Sequence, residues 1–168
     1  MKKSTELSER YTPLDIIEDV RHFAQTRSID LDVASCAEAN ERVRAGRYFT
    51  QDNDALKQGW LADTIWCNPP YEGLSKHFVD KLLDDGTHFD EAFLLINGDV
   101  STRAFQRAMR ECVACVLFSP RLAFTWPGGV TKRGNSSTNA MFYFNVWGER
   151  QQAFSEAFSK YGVVVGAV

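Results

Sequence analysis

Residues 64–71 restrict the fold of this chain more than any other segment. A β-branched and aromatic run, Thr64-Ile65-Trp66-Cys67, is followed at once by Asn68-Pro69-Pro70-Tyr71. The run predicts a buried strand, and the prolines end it, because proline lacks the N–H that a ladder needs and has a fixed φ. The strand therefore brings an amide side chain, backbone carbonyls and an aromatic ring to one edge of a sheet.

Strand and helix patterns alternate along the rest of the chain. Strands are predicted at residues 29–34, 46–50, 64–67, 91–96, 113–119, 122–126 and 139–147. Helical spacing of apolar residues predicts helices after Thr12 as N-cap with Pro13 at the first position, at 38–44, at 74–83, after a cap at Ser101, and at 154–161. Repeated βα units predict an α/β fold: a mainly parallel sheet with helices on both faces and antiparallel strands near the C-terminus.

Length and charge limit the organisation of the protein. The chain has 168 residues, of which 44% are hydrophobic, enough for one core and cramped for two. We therefore expect a single compact domain over residues 1–168. The formal net charge of −3 argues against a surface that coats nucleic acid generally, so any such contact must come from local basic patches.

The sequence predicts neither a membrane-spanning segment nor a metal site. No apolar stretch approaches the roughly 20 residues of a membrane span, and Met1-Lys2-Lys3 leads into polar residues, so we expect a cytoplasmic protein without a membrane partner. The four cysteines lie among apolar residues, as reduced structural thiols do. Cys112 and Cys115 form a lone CxxC, and the three histidines are scattered, so we expect no metal site.

The residues Asn68 to Tyr71 suit a ligand with an exocyclic amino group on a flat ring. The amide and carbonyl oxygens can accept its N–H bonds, and the aromatic side chain can stack on the ring. The alternative is a tight turn that uses proline for stiffness and tyrosine for packing.

The same tetrad resembles the catalytic motif of amino-directed, S-adenosylmethionine-dependent methyltransferases. Further segments follow the order seen in phage-type DNA adenine N6-methyltransferases: Tyr11-Thr12-Pro13, Leu31-Asp32-Val33-Ala34-Ser35, Tyr48-Phe49-Thr50, Asp54-Ala55-Leu56, Trp60 and Ser119-Pro120-Arg121-Leu122-Ala123-Phe124. The resemblance covers about residues 11–144. It implies a Rossmann-like methyltransferase sheet, S-adenosylmethionine as cofactor, methylation of adenine N6 in DNA by base flipping, and Asn68, Pro69, Pro70 and Tyr71 as catalytic residues.

The resemblance also implies a set of cofactor-binding residues, namely Thr12, Pro13, Asp32, Ala34, Asp54 and Leu56. The predicted strand ends put Asp32 and Asp54 at the edge where α/β sheets bind ligands. Helix caps or turn carboxylates are the alternatives for both, and a plain helix start explains Thr12-Pro13 equally well. One departure is the loop after the first strand, Ser35-Cys36-Ala37-Glu38, where related folds usually have a glycine-rich segment.

The candidates for DNA contact are basic and polar residues outside this edge. Arg103 and Arg107 recur with Arg110 at helical spacing, although a solvated helix face has the same pattern. Residues 127–138 lack periodicity and form a predicted target-recognition loop. The candidate residues are Arg103, Arg107, Arg121, Lys132, Arg133, Asn135 and Ser137.

Two questions stay open at this stage. The segment Ile96-Asn97-Gly98-Asp99 is more polar than the resemblance suggests, and it is either a plain turn or a loop that touches the target or the cofactor. An Asn-Pro-Pro-Tyr site also fits cytosine N4, an RNA base or a protein glutamine amide as acceptor. The chain could instead be a non-catalytic DNA-binding protein that kept the methyltransferase scaffold.

Overall fold

A seven-stranded mixed sheet forms the centre of the molecule. The computed structural model describes residues 10–26, 28–70, 73–84, 86–131 and 137–166. Its strands are β1 (Leu31–Asp32), β2 (Arg47–Tyr48), β3 (Thr64–Cys67), β4 (Glu91–Asn97), β5 (Ala114–Phe118), β6 (Thr125–Trp126), β7 (Val130–Thr131), β8 (Asn139–Asn145) and β9 (Gly162–Gly166). The large sheet has the order β2-β1-β3-β4-β8-β5-β9, and β6 and β7 form a separate hairpin.

The strand directions confirm the predicted sheet. β2, β1, β3 and β4 pair in parallel, whereas β8 is antiparallel to both β4 and β5, and β9 is antiparallel to β5. β5 therefore points the same way as β4. Five strands share one direction, and the antiparallel pairs lie in the C-terminal part of the chain.

Helices cover both faces of this sheet. They are α1 (Leu14–Phe23), α2 (Ala37–Val43), α3 (Ser75–Leu82), α4 (Arg103–Glu111) and α5 (Gln151–Phe158). α1 and α5 pack in one buried cluster, and α3 and α4 pack in the other. On β4, Phe93 and Leu95 join the first cluster while Ala92 and Leu94 join the second, because successive side chains of a strand point to opposite faces.

Several predicted boundaries are wrong. The helix cap is Thr102, whose Oγ1 accepts from Phe105 N at 3.2 Å, and not Ser101. Residues 122–126 contain only the short strand β6. Leu122 and Phe124 are buried in the core without belonging to a strand, so their apolar character predicted a longer strand than the one that forms. β9 is absent from the sequence prediction.

A close backbone approach explains the glycine at the start of β9. The predicted last helix extends to residue 161, whereas α5 ends at Phe158 and a 3₁₀ turn, Ser159–Tyr161, leads into the strand. A Cβ at Gly162 would lie 2.0 Å from the carbonyl oxygen of Leu117, so this pairing requires glycine. Among the described residues, no helix has the length and apolar character needed to cross a membrane.

Candidate active site

A cavity opens at the carboxyl ends of β1, β2 and β3. Its volume is about 520 Å³, within the range of small-molecule sites. Eight of the residues that line it are among the candidates from the sequence: Thr12, Asp32, Ala34, Asp54, Leu56, Asn68, Pro69 and Pro70. The topology brings them together because parallel strands end at one edge of the sheet.

The amide of Asn68 is oriented by its neighbours. Its Nδ2 donates to the carbonyl oxygen of Arg10 at 3.1 Å and to Thr12 Oγ1 at 3.3 Å. The Oδ1 atom is buried and has no partner among the described residues. An unpaired buried acceptor is costly in a folded protein, so this oxygen is available for an N–H group of a ligand.

The two prolines lie directly beside this amide. Pro69 is buried, Pro70 is half-buried, and both line the cavity. Tyr71, the last residue of the tetrad, lies outside the described residues.

Thr12 and Pro13 differ in their local roles from the prediction. Pro13 is the N-cap of α1, with extended dihedral angles, and no side chain caps this helix. Thr12 is not the cap, because its hydroxyl is used as the acceptor for Asn68. Pro13 follows Thr12 at the cavity edge and is not among the lining residues.

Asp32 is a buried carboxylate at the end of β1. It is 1% exposed, and its Oδ1 accepts from the backbone N–H of Ala34 at 3.1 Å. Burial raises the pKa of this carboxyl to about 6, although the hydrogen bonds from Ala34 and the Ser35 side chain oppose the shift. A carboxylate with this pKa is still mostly ionised at neutral pH and can accept hydrogen bonds from hydroxyl or amine groups.

The loop after β1 does not need glycine. The described non-glycine residues with positive φ are Gln25, Arg44, Asp54 and Arg150, so residues 33–36 all have ordinary dihedral angles. Cys36 is the N-cap of α2, with its sulfur accepting from Ala39 N at 3.4 Å. Cys36 is half-buried and lines the cavity, unlike the other three cysteines, which are buried.

Asp54 and Leu56 form the wall of the cavity near β2. Asp54 precedes a 3₁₀ turn, Ala55–Lys57, in a left-handed conformation with φ of 45°, which is rare for a residue with a side chain. Its Oδ2 lies 2.9 Å from Lys57 Nζ, and the hydrogen bond from Lys57 lowers the pKa of the carboxyl. Leu56 packs on the core that includes Phe78.

Sequence reasoning missed part of the cavity lining. Tyr11, Ser35, Phe49 and Thr50 belong to the family-like segments and line the cavity, although no role was assigned to them. Their position in those segments was the available signal. Arg42 also lines the cavity, and nothing in its local sequence indicates this.

The β6–β7 hairpin is fastened to the wall of the cavity. Tyr11 exchanges two backbone hydrogen bonds with Thr125, of 2.7 and 3.0 Å. Glu38 Oε1 accepts from Gly128 N at 2.8 Å, and Glu38 Oε2 accepts from the Tyr11 hydroxyl at 3.3 Å. The hairpin thus forms the first part of the predicted loop 127–138, and residues of the cavity wall hold it.

The candidate DNA-binding residues that the structure describes do not line the cavity. Arg107 forms ion pairs with Asp80 at 2.8 Å, Asp84 at 3.3 Å and Glu111 at 3.2 Å, which raise the pKa of its guanidinium. All of its nitrogens are therefore used within the protein, and a phosphate contact would have to replace some of these ion pairs. Arg103 and Arg121 are exposed, and Ser137 is half-buried. Lys132, Arg133 and Asn135 lie outside the described residues.

In the described parts of the chain, no group of three or more histidine, cysteine, aspartate or glutamate side chains could hold a metal ion. The polar groups that line the cavity are amides, two carboxylates, two guanidinium groups, hydroxyls and a thiol. Their donors and acceptors suit an organic ligand.

Comparison with known proteins agrees with this geometry. The family model described as DNA N-6-adenine-methyltransferase (Dam) matches residues 4–162. A protein of Haemophilus phage HP1 (strain HP1c1), named DNA N-6-adenine-methyltransferase, is 29% identical over 94 residues, which are 55% of this chain and 53% of that protein. The matched segment thus spans about half the length of this curated relative. With the mixed sheet, the strand-end tetrad and a family match over most of its length, the chain belongs to the DNA N-6-adenine-methyltransferase (Dam) family.

Proposed function

We propose that this protein transfers a methyl group from S-adenosylmethionine to N6 of adenine in DNA. The observation that carries the proposal is the buried, unpartnered Oδ1 of Asn68 at the edge of the cavity. Such an acceptor suits the amino group of a nucleobase. The family match and the similarity to the phage protein named for this reaction support the choice of adenine in DNA.

Asn68 and Pro69 would activate the amino group by accepting its hydrogens. The lone pair of the adenine amino group is delocalised into the ring and is a poor nucleophile. With Asn68 Oδ1 and the Pro69 carbonyl accepting the two N–H bonds, the nitrogen would move toward tetrahedral geometry and its lone pair would point at the methyl group. As the N–C bond forms, the S–C bond of the sulfonium would break and leave a neutral thioether, and one amino proton would be lost to water. Positioning and preorganised dipoles supply the catalysis. The carbonyl of Arg10 and the hydroxyl of Thr12 hold the Nδ2 side of the amide, which leaves Oδ1 as the acceptor.

The proposed reaction includes base flipping. An adenine inside a duplex cannot reach a cavity edge with a buried acceptor, so the base must leave the stack. Tyr71, next in the tetrad, would stack on the extruded ring.

The cavity fits the proposed cofactor in size and chemistry. S-adenosylmethionine supplies an electrophilic methyl group on a sulfonium. Asp32 and Asp54 would accept hydrogen bonds from its hydroxyl or amino groups, and Leu56 would pack on its adenine ring. Ala34, Thr12 and Pro13 complete the proposed site, and the cavity of about 520 Å³ has room for such a ligand.

DNA would be held by basic and polar residues around the hairpin. Phosphate contacts position the duplex, and polar side chains read base edges. We assign these roles to Arg103, Arg121, Lys132, Arg133, Asn135 and Ser137. Arg107 would have to exchange its three ion pairs for a phosphate contact.

Replacing Asn68 with alanine tests the proposal. Removing one preorganised acceptor should lower the single-turnover rate by about a hundredfold or more and leave cofactor affinity near wild type. Thr12→Val should have a smaller effect, because it removes one of the two groups that orient the amide. Adenine-containing DNA, DNA with cytosine as its only amino base, RNA and a glutamine peptide should be compared as acceptors.

Each outcome has a distinct meaning. Full activity of Asn68→Ala would reduce the tetrad to a structural turn. Methylation of a different acceptor would change the proposed substrate but leave the proposed active site unchanged. Failure of the wild-type protein to bind S-adenosylmethionine would favour a non-catalytic DNA-binding protein.

A further inference from the structure

A second buried amide oxygen lies at the end of the neighbouring strand. Asn97 is the last residue of β4, and its Oδ1 is buried without a hydrogen-bond partner among the described residues. A folded protein loses stability by keeping such an atom unpaired. A buried polar group that stays unpaired in a native structure calls for an explanation, and a bound ligand is one.

The position of Asn97 relates it to Asn68. β3 and β4 are parallel, with Cys67 beside Leu94, so Asn68 falls beside Leu95. Asn97 is two residues further along, about 7 Å, on the same face of the sheet as Leu95. That face also carries Trp66 and the helix α1, which directly follows the Thr12 that holds the Asn68 amide.

The location separates Asn97 from the proposed cofactor. The cavity extends from β3 over β1 and β2, and Asn97 is not part of its lining. β4 lies on the other side of β3. A substrate that meets Asn68 from outside the cofactor cavity therefore approaches over the end of β4.

The backbone around Asn97 is tightly held. Asn97 pairs with Asn139, and Gly98 N donates to the carbonyl oxygen of Thr138 at 2.9 Å. A Cβ at Gly98 would lie 2.9 Å from Thr138 Oγ1 and 3.3 Å from Asn139 N. The backbone that carries the Asn97 side chain is therefore fixed in place.

We propose that Asn97 Oδ1 accepts an N–H group of a nucleobase and is a specificity-determining contact of the target site. This inference rests on the proposed function. The N–H donor is either the amino group of the extruded adenine or that of a neighbouring base in the duplex. Both are planar amino groups, and the amide oxygen is matched to them in chemistry.

Asn97→Leu tests the inference through two opposite effects. Leucine has a similar branched shape and no polar atoms, so the variant should be at least as stable as the wild type to thermal unfolding, since it removes an unpaired buried acceptor. The same variant should lose at least tenfold in kcat/KM for DNA methylation, with cofactor affinity unchanged.

Asn145→Leu is the matched control. Asn145 is also a strand-end asparagine, but its Nδ2 donates to the Tyr143 hydroxyl at 2.9 Å and its Oδ1 accepts from Trp147 N at 2.8 Å. Its replacement should lower the melting temperature, while the methylation rate and the sequence preference stay at wild-type values below that temperature.

The substrate used distinguishes the two sources of the N–H group. Contact with the extruded adenine predicts equal losses for Asn97→Leu on duplex DNA and on a short single-stranded oligonucleotide. Contact with a neighbouring base predicts a loss on duplex DNA alone, and a broader set of methylated sites when unmethylated genomic DNA is treated and sequenced.

Two results would overturn the inference. If Asn97→Leu keeps the wild-type kcat/KM on both substrates, Asn97 does not contact the base. A melting temperature lowered as in Asn145→Leu would show that the Asn97 side chain has a structural role. A wild-type protein that methylates no DNA refutes the proposed function and the contact together, whereas a failure of Asn97 alone leaves the methylation of wild type and its sensitivity to Asn68→Ala intact.

Discussion

Two buried carboxyl groups on the same sheet have different surroundings. Asp32 is the last residue of β1, lines the cavity, and is held mainly by a neighbouring backbone N–H. Glu91 is the first residue of β4, and its Oε2 accepts from the Tyr143 hydroxyl at 3.0 Å and from Arg150 Nη1 at 3.1 Å. Burial raises the pKa of both. The carboxylate at the amino end of β4 thus has its hydrogen-bond partners within the protein. At the carboxyl end of β1, the carboxylate lines the cavity and is left for a ligand.

Glu91→Ala should have the largest effect, and the effect should be on stability. The change leaves the Tyr143 hydroxyl and Arg150 without their shared partner. Because Arg150 is about a third exposed, we expect a loss of about 2 to 3 kcal/mol in the free energy of unfolding, less than for a fully buried pair. Denaturant unfolding measures it. Cofactor affinity should stay at the wild-type value under native conditions.

Glu41→Ala is the control for that variant, since it removes an exposed carboxylate from α2. We expect almost no change in stability. Two results would contradict this assignment of Glu91 to stability alone. One is a Glu91→Ala protein as stable as the control, and the other is a folded Glu91→Ala protein that no longer binds the cofactor.

Asp54→Ala should act on binding and leave the fold unchanged. Losing a charged acceptor should weaken binding of S-adenosylmethionine roughly tenfold to a hundredfold. Isothermal titration calorimetry measures this. Lys57→Ala is the matched control, because it removes the ion-pair partner 2.9 Å away and keeps the carboxylate. Equal affinities for wild type and Asp54→Ala would remove this residue from the site.

Asp32 should give the most specific effect, a pH dependence. Its folded-state pKa of about 6 lies above the ordinary value of 3.8, so its contribution to stability is fully present below about pH 4 and is lost as the pH rises through 6. Asp32→Asn should therefore be more stable than wild type at pH 8, with the difference vanishing at pH 4.

Cofactor binding should show the opposite trend, because the ionised form of Asp32 binds the ligand. Wild-type affinity should fall about tenfold between pH 7 and pH 5, following the ionised fraction. Asp32→Asn should bind more weakly at pH 7 and vary little with pH over this window. An identical pH profile in the variant would assign the buried carboxyl to the fold alone.

The parts of the fold that were predictable are those with a strong local signal. β3, β4, β5 and β8 are nearly continuous apolar runs, and α1, α3 and α4 have clear helical spacing, so their existence follows from sequence. β9 does not, because Gly-Val-Val-Val-Gly follows directly on a helical pattern and becomes a strand only through pairing with β5. The hairpin of β6 and β7 is equally a product of contacts with the rest of the molecule.

The candidate site shows the same division. Its location followed from Asn68 and Asp32 at strand ends. The hydrogen bonds that orient the Asn68 amide join residues 56 and 58 positions apart, and no local pattern encodes such contacts. The use of Arg107 in ion pairs with α3 was missed for the same reason, since Asp80 is 27 positions away.

The loop after β1 also shapes the wall of the cavity. Because ordinary dihedral angles suffice there, the chain carries a thiol and a hydroxyl where glycine-rich loops offer only hydrogen atoms. A compound that fills this cavity must therefore leave room for the side chains of Ser35 and Cys36, which a loop of glycine residues would not require.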